Sequence, residues 1–359
     1  MIKFVLRRLF YGFLVLLGVI TVVFLLFNVL PGDPARMMLG QRADQTSIDA
    51  INKDLGRDKP LTVQFLMYLN DLSPLSVHDA EDKTHYLYLN SDKYSSWVKL
   101  FPLPGTKVVV LKFPYLRRSY ITKRKVSDII IETLPETAVL AFSSITFGAV
   151  LGILMGIFSA LKKNSWFDKS ALLFAIFGMS LPSFFIGLII AWLFGFILRD
   201  YTGLNNVGSL FTTNDFGEEH ISLKNLILPT VTLGLRPLAI IIQLTRSSLL
   251  DVLSQDYIRT ATAKGLSFYK VIFKHALKNA LNPVVTAVSG WFAGLMAGAV
   301  FVEIIFNWKG IGYEVVDALS KNDLPVVMGT TLIFTVIFVI INIIVDIVYG
   351  ILDPRVRFQ

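Results

Sequence analysis

Residues 7–34 read RRLFYGFLVLLGVITVVFLLFNVLPGDP. Two arginines precede an uncharged run from Leu9 to Leu30, which stops at Pro31-Gly32-Asp33-Pro34. A bilayer core takes about 20 apolar residues of helix, so the run is long enough to cross. A secretory leader also starts with positive charge. Its apolar part, however, is only about 7–15 residues and closes on a small-residue cleavage site. The run therefore predicts an uncleaved first span, with Lys3, Arg7 and Arg8 on the cytoplasmic side.

Five more apolar runs follow: Glu136–Leu161, Ser170–Leu198, Leu226–Leu250, Pro283–Phe306 and Val326–Leu352. Each can span with some tilt. Pro182 lies inside Ser170–Leu198, the third span counting the first run, and is expected to kink it, because proline removes one helix hydrogen bond. The chain is 54% hydrophobic and only 17% charged, against about 25% charged in a soluble domain. The expected fold is an all-α polytopic membrane protein with about six transmembrane helices. Expected divisions are 1–30 (first span), 31–134 (a long extracytoplasmic loop or subdomain) and 135–359 (a five-helix core with a cytoplasmic loop at 251–282).

Charge tests this topology. With the N-terminus inside, the cytoplasmic pieces carry Lys162, Lys163, Lys169, Arg246, Arg259, Lys264, Lys270, Lys274, Lys278, Arg355 and Arg357. The short outer loops carry Asp200, Asp215, Glu218, Glu219, Glu314, Asp317 and Asp323, with fewer basic residues. The basic excess falls inside, as orientation by Lys and Arg requires, and both termini are expected in the cytoplasm. That sorting accounts for the net charge of +8 without a nucleic-acid partner. There is no cysteine, no H-E-x-x-H pair and no G-x-x-x-x-G-K-[ST] loop. No catalytic residue, metal or nucleotide site is therefore expected in the chain itself.

Within 31–134, Tyr86–Leu89 and Lys107–Phe113 have strand-like composition. An ordered loop with one hairpin and a partner-docking surface both fit. Five residues in or near the later spans are candidates for the translocation path: Ser180, Pro182, Arg236, Glu303 and Asp346. Arg236 and Glu303 are expected near helix ends. A charge inside a membrane marks either a buried pair or a pathway, and both readings stay open here. Ser180 and Pro182 either shape a path or form a packing kink. Gly290, Gly294 and Gly298 recur every four residues, a spacing that lets helices approach closely.

The loop before the fifth span, 254–283, reads SQDYIRTATAKGLSFYKVIFKHALKNALNP. Asp256 to Lys264 can form a short helix with small residues at 260–263 and Gly265 as a left-handed C-terminal cap. Ser267 can cap a second helix, Phe268 to Ala280. The residues alone allow a knob that docks on a partner or a basic amphipathic segment lying on anionic lipid.

This loop resembles that of permease subunits of binding-protein-dependent ABC importers, in the dipeptide, oligopeptide and nickel group. The likeness extends over most of the chain. It takes in RRL near the start, PGDP at 31–34, SLPSF at 180–184, TRSSLLDVL at 245–253, DYIRTATAKGL at 256–266, HALKNALNPVVT at 275–286, GAVFVEIIFNWKGIG at 298–312 and DPRVR at 353–357. The resemblance implies that the loop couples to an ATPase through Asp256, Tyr257, Arg259, Thr260, Ala261, Ala263, Lys264, Gly265 and Leu266. It also implies the partners: a second permease subunit, two ATPase subunits that bind ATP and Mg, an extracytoplasmic substrate-binding protein and the lipid bilayer of the inner membrane. The broader importer pattern has E-A-A where this chain has Arg259, Thr260 and Ala261, a departure that agrees with the peptide-type subgroup. The stretch between about Ser76 and Phe113 is an insertion with no implied role. The competing reading is an ion-coupled secondary transporter or channel, for which an internal repeat between halves would be the sign. A membrane enzyme would need clustered His, Asp or Glu within the spans.

Overall fold

The computed structural model describes residues 2–29, 49, 52, 56–82, 85–91, 93–94, 96–213 and 217–352. The PGDP and DPRVR motifs lie outside the described residues. Four helices are long and apolar enough to cross a bilayer. They are α1 (Ile2–Val29), α3 (Val126–Leu161), α6 (Leu223–Leu253) and α11 (Leu324–Leu352). Pro135 in α3 and Pro229 and Pro237 in α6 are accommodated without breaking either helix.

The other two expected spans are bent pairs, which bring the number of spans to six if each pair counts as one. The run 170–198 is not one kinked helix. α4 (Trp166–Ser180) and α5 (Ser183–Trp192), which continues as a π-helical turn to Ile197, meet at 109°. The cause is local: a residue before proline is driven out of the helical region, and Leu181 sits at φ −83°, ψ 138°. Pro182 is also extended, at φ −61°, ψ 136°, and a new helix begins after it. In the fifth run, α8 (Asn282–Gly298) and α9 (Val300–Phe306) meet at 58°. Between the spans lie α2 (Leu61–Leu72), α7 (Asp256–Ala263) and α10 (Ile311–Ser320).

The chain divides into two compact units. The larger comprises Met1–Leu14, Thr133–Glu314 and Phe334–Gln359. Its core gathers Leu140, Ala141, Ile145, Leu228, Leu233, Val302, Phe306 and Trp308 from α3, α6, α9 and the turn after it. Close approach of α3 to α6 depends on Gly148, Gly152 and Gly156. A Cβ at Gly152 would lie 2.8 Å from Ile241 Cγ2 and 3.1 Å from the Leu238 carbonyl oxygen. One at Gly156 would lie 2.6 Å from Thr245 Cβ. By contrast, Gly290 and Gly294 face open space, with nothing within 4 Å of an added Cβ.

The smaller unit comprises Val15–Glu132 and Val315–Ile333. In it α2 packs Phe65, Tyr68, Leu69 and Leu72 against Ile20, Val23 and Phe24 of α1. A three-stranded antiparallel sheet follows, in the order β1 (Leu75–Asp79), β3 (Lys107–Lys112), β2 (Trp97–Pro102). The strand expected at 107–113 is its central member. Tyr86–Leu89 is instead a turn with one isolated bridge, Asp79 to Tyr88. One face of the sheet is closed by Leu89 and Tyr94 over Val108 and Val110. Tyr94 Oη donates to Asp71 at 2.7 Å, and Lys112 Nζ donates to the Asp71 carbonyl oxygen at 2.6 Å.

His78 is enclosed, with Ser76 Oγ at 3.0 Å from one ring nitrogen and the Leu87 carbonyl at 3.1 Å from the other. Burial pushes its pKa down to about 4 from 6.5. Between those values the unfolded chain binds the proton and the folded chain does not, so stability must rise with pH across that window. We expect acidification from pH 6.5 to 4 to remove on the order of 2 kcal/mol from the smaller unit. His78→Gln should flatten that dependence in thermal unfolding scans at stepped pH.

Candidate functional site

The loop following α6 folds as the compact knob its sequence suggests. Gln255 leaves α6 in an extended conformation at φ −74°, ψ 148°, and α7 starts on Asp256. Ile258 and Ala261 turn inward. They join Val271, Ile272, Ala276, Leu277 and Ala280 in one core with Leu249 of α6 and with Ile157 and Ala160 of α3. The knob is therefore seated on the ends of two long helices.

α7 ends in a Schellman cap. Gly265 stands at φ +78°, its N–H donates to the Thr262 carbonyl at 2.9 Å, and Leu266 N–H reaches the Ala261 carbonyl at 3.4 Å. The second helix is not regular. It starts as α-helix at Phe268–Lys270, widens to a π turn over Val271–Ala276 and closes at Leu277–Ala280. Ser267 occupies its N-cap position without a side-chain cap bond.

Of the nine sequence candidates, Asp256, Tyr257, Arg259, Thr260, Ala263, Lys264 and Gly265 lie exposed on the knob, and Leu266 is half-buried. Ala261 points into the chain's own core. Thr260 and Thr262 direct their hydroxyls to the helix carbonyls of Asp256 and Ile258, at 2.9 and 3.0 Å. Their hydroxyls are thus satisfied within the helix, and the outward surface sets the small Thr260, Thr262 and Ala263 among the charged Asp256, Arg259 and Lys264. Arg259 and Asp256 approach to 3.6 Å while both stay in solvent, a pair of little energetic weight.

Beside the knob is an ion pair that the sequence reading missed. Asp168, in the first turn of α4, is buried and takes a bidentate grip from Arg246 of α6, with Nε–Oδ1 2.5 Å and Nη2–Oδ2 2.8 Å. The same carboxylate accepts from Ser159 Oγ of α3 and, at 2.8 Å, from the Asn164 backbone N–H. One side chain therefore ties α3, the 162–165 turn, α4 and α6 together. The available signal was a lone acid, Asp168, among Lys162, Lys163 and Lys169.

The five path candidates do not converge. Ser180 and Pro182 are exposed at the α4–α5 break. Arg236 lies in the interior of α6 rather than near its end, exposed, with its guanidinium 6.0 Å from the centroid of the Trp291 ring. Asp346 pairs with Arg8 at 3.0 Å. Glu303 is fully enclosed: one oxygen accepts from Thr137 Oγ1 at 2.8 Å and the other from the Tyr313 N–H at 2.9 Å. Its neighbour Glu136, also missed, is buried and accepts from Ser209 Oγ and the Leu210 N–H. Trp308 Nε1 donates to the Glu136 carbonyl at 3.0 Å. This accounts physically for the stretch 303–312. A Cβ on Gly310 would collide with Thr137 and the Glu303 carboxylate, and one on Gly312 would lie 2.8 Å from Val300 Cα. Among the described residues no group of three His, Cys, Asp or Glu could hold a metal.

Residues 152–358 match the model of the family described as "Binding-protein-dependent transport system inner membrane component". Residues 1–83 match the N-terminal model of the same kind of membrane component. The dipeptide transport system permease protein DppB of Alkalihalophilus pseudofirmus is 34% identical, over all of both chains. The glutathione transport system permease protein GsiC of Salmonella typhimurium is also 34% identical over all of both. Among solved structures, a chain of the inward-facing MetNI methionine ABC transporter is similar in fold, with TM-score 0.50 and 18% identity, over 63% of this chain and 97% of that one. This chain belongs to the family of binding-protein-dependent transport system inner membrane components.

Proposed function

We propose that this chain is one of two membrane subunits of an ATP-driven importer of small peptides, and that the loop 254–283 transmits the work of an ATPase to the spans. The observation that carries this is the knob itself. A capped helix whose outward surface sets small residues among the exposed charges of Asp256, Arg259 and Lys264 is seated on the ends of α3 and α6. Such a face suits insertion into a groove on a partner and is poorly suited to lipid. The cargo class rests on full-length relatives named for dipeptides and glutathione.

In this reading the chain crosses the inner membrane six times, with both termini and the 251–282 loop in the cytoplasm and 31–134 outside. Residues 1–30 form the first span and 135–359 the core. A second permease completes the path, two ATPase subunits bind ATP and Mg, and an external binding protein delivers cargo. Asp256, Tyr257, Arg259, Thr260, Ala263, Lys264 and Gly265 meet the ATPase, with Leu266 at the edge. Ala261 serves from inside, holding α7 to its own core. When the ATPases close, the two knobs move together and the path opens outward as a rigid-body rearrangement.

The test is purification from native membranes in mild detergent, with an ATP hydrolysis assay. A second permease and an ATPase should copurify, and Gly265→Val should lose coupled activity. At φ +78° a β-branched side chain is strained by roughly 1–2 kcal/mol. A chain that purifies alone and transports without ATP would overturn the proposal.

A further inference from the structure

The insertion between Ser76 and Phe113 has one sheet face closed by the chain; on the other, Val109 is buried but the end of the sheet next to α2 is open. On the open face the register places Leu75 beside Leu111 and Leu111 beside Val98, one row across three strands. All three are exposed, at 58%, 47% and 63%, and Phe113, just past β3, is exposed at 76%. The row offers no hydrogen-bonding side chain and no acid.

Its place within the smaller unit is informative. β1 starts three residues after α2, and the Tyr115 N–H is bonded to the Asp71 carbonyl, so this row borders the end of α2. α2 lies on Ile20, Val23 and Phe24. Phe24 is five residues short of the end of α1, about 7.5 Å of helix, and so near the bilayer surface. α2 also exposes Leu61 and Leu66, at 58% and 63%. Polarity then changes along the strands. At the far end of β1, about 13 Å from Leu75, stand Asp79, Lys107 and the exposed Glu81 and Asp82. Along β1 the sheet is thus apolar beside the membrane helix and charged away from it, while on β2 the exposed Leu100 and Phe101 extend the apolar surface. Apolar side chains at the level where a span leaves the bilayer gain by entering the boundary between headgroups and acyl chains.

We infer that this sheet is a membrane-surface anchor: Leu75, Val98, Leu111 and Phe113 rest in the lipid surface at the C-terminal end of α1 and fix the height of the extracytoplasmic subdomain. The anchor needs only that α1 spans; it is independent of cargo and of the ATPase.

The chain has no cysteine, so single cysteines for spin labels can be introduced without other changes. Leu111→Cys, Val98→Cys and Phe113→Cys would each be labelled in the full chain in lipid nanodiscs, with Glu81→Cys as the distal reference. All four positions are exposed, so labelling requires no repacking. Collision rates with oxygen, which concentrates in the bilayer, and with a water-soluble nickel chelate would then be compared. The expected result is a severalfold higher ratio of oxygen to nickel collisions at 98, 111 and 113 than at 81. Equal ratios at all four positions would overturn the inference. So would shielding of 98, 111 and 113 from both reagents, which would mean that protein, such as a second permease or a docked binding protein, covers the face.

Discussion

Asp168→Asn is expected to lower the stability of the chain by about 3 kcal/mol, because removing one partner of a buried ion pair leaves the other charge uncompensated. Arg246 donates to both Asp168 oxygens, and its side chain is only 18% exposed. Asparagine keeps the shape and loses the second acceptor, so the guanidinium keeps its burial without its counter-charge. The Asn164 N–H and Ser159 Oγ lose a charged acceptor at the same time. Thermal unfolding in detergent measures the first effect. The position of the pair predicts a second. Asp168 and Arg246 join the ends of α3, α4 and α6 beside the core that seats the knob, so loosening them should let the knob move without the spans. ATP hydrolysed per peptide transported should therefore rise in the assembled importer. The charge-restoring pair Asp168→Arg with Arg246→Asp should bring the ratio part of the way back. If stability falls with no change in the ratio, the pair is structural only.

Gly156→Leu is expected to be at least as damaging to the fold. Overpacking a close-packed site costs about 1–3 kcal/mol where side chains can yield. Here the new Cβ would meet the Ile242 carbonyl oxygen at 2.9 Å as well as Thr245 Cβ, and backbone cannot step aside. The helices α3 and α6 would have to separate along the contact that also holds Gly148 and Gly152. We expect a loss near 3 kcal/mol, read as a lower unfolding temperature and a poor yield of monodisperse chain. Gly290→Leu is the control, since nothing lies within 4 Å of its Cβ position. It should change chain stability by no more than about 0.5 kcal/mol. If the exposed Gly290–Gly294 face meets the second permease, the same substitution should reduce pairing on native gels.

These two cases mark what was legible in the sequence. The four unbroken helices long enough to span and the knob can be read because apolar length and local capping signals determine them: Gly265 adopts the left-handed cap its position calls for. The right-angle break at Leu181–Pro182 is stronger than a kink because two successive extended residues, not one missing hydrogen bond, reset the chain direction. The glycine repeat at 290–298 was visible, while the repeat at 148–156 was not singled out, although the latter forms the close helix contact within the chain. Spacing alone does not say which glycine face meets a neighbour. Asp168 and Glu136 were missed for a related reason. Each sits at the edge of an apolar run and reads as a boundary charge until the fold brings Arg246 or Ser209 to it. In the insertion, composition located the central strand but not its partners, since β1 and β2 carry too mixed a pattern to stand out.

The central claim is that the outward face of α7 meets the ATPase. The most direct measurement places a benzophenone-maleimide probe on Ala263→Cys, the sole cysteine of the chain, in the copurified importer. Illumination and identification of the adduct follow, with Glu81→Cys as reference. The account predicts an adduct with the ATPase polypeptide from position 263 and none from position 81. An adduct with lipid alone from position 263, in a complex that contains the ATPase, would contradict it.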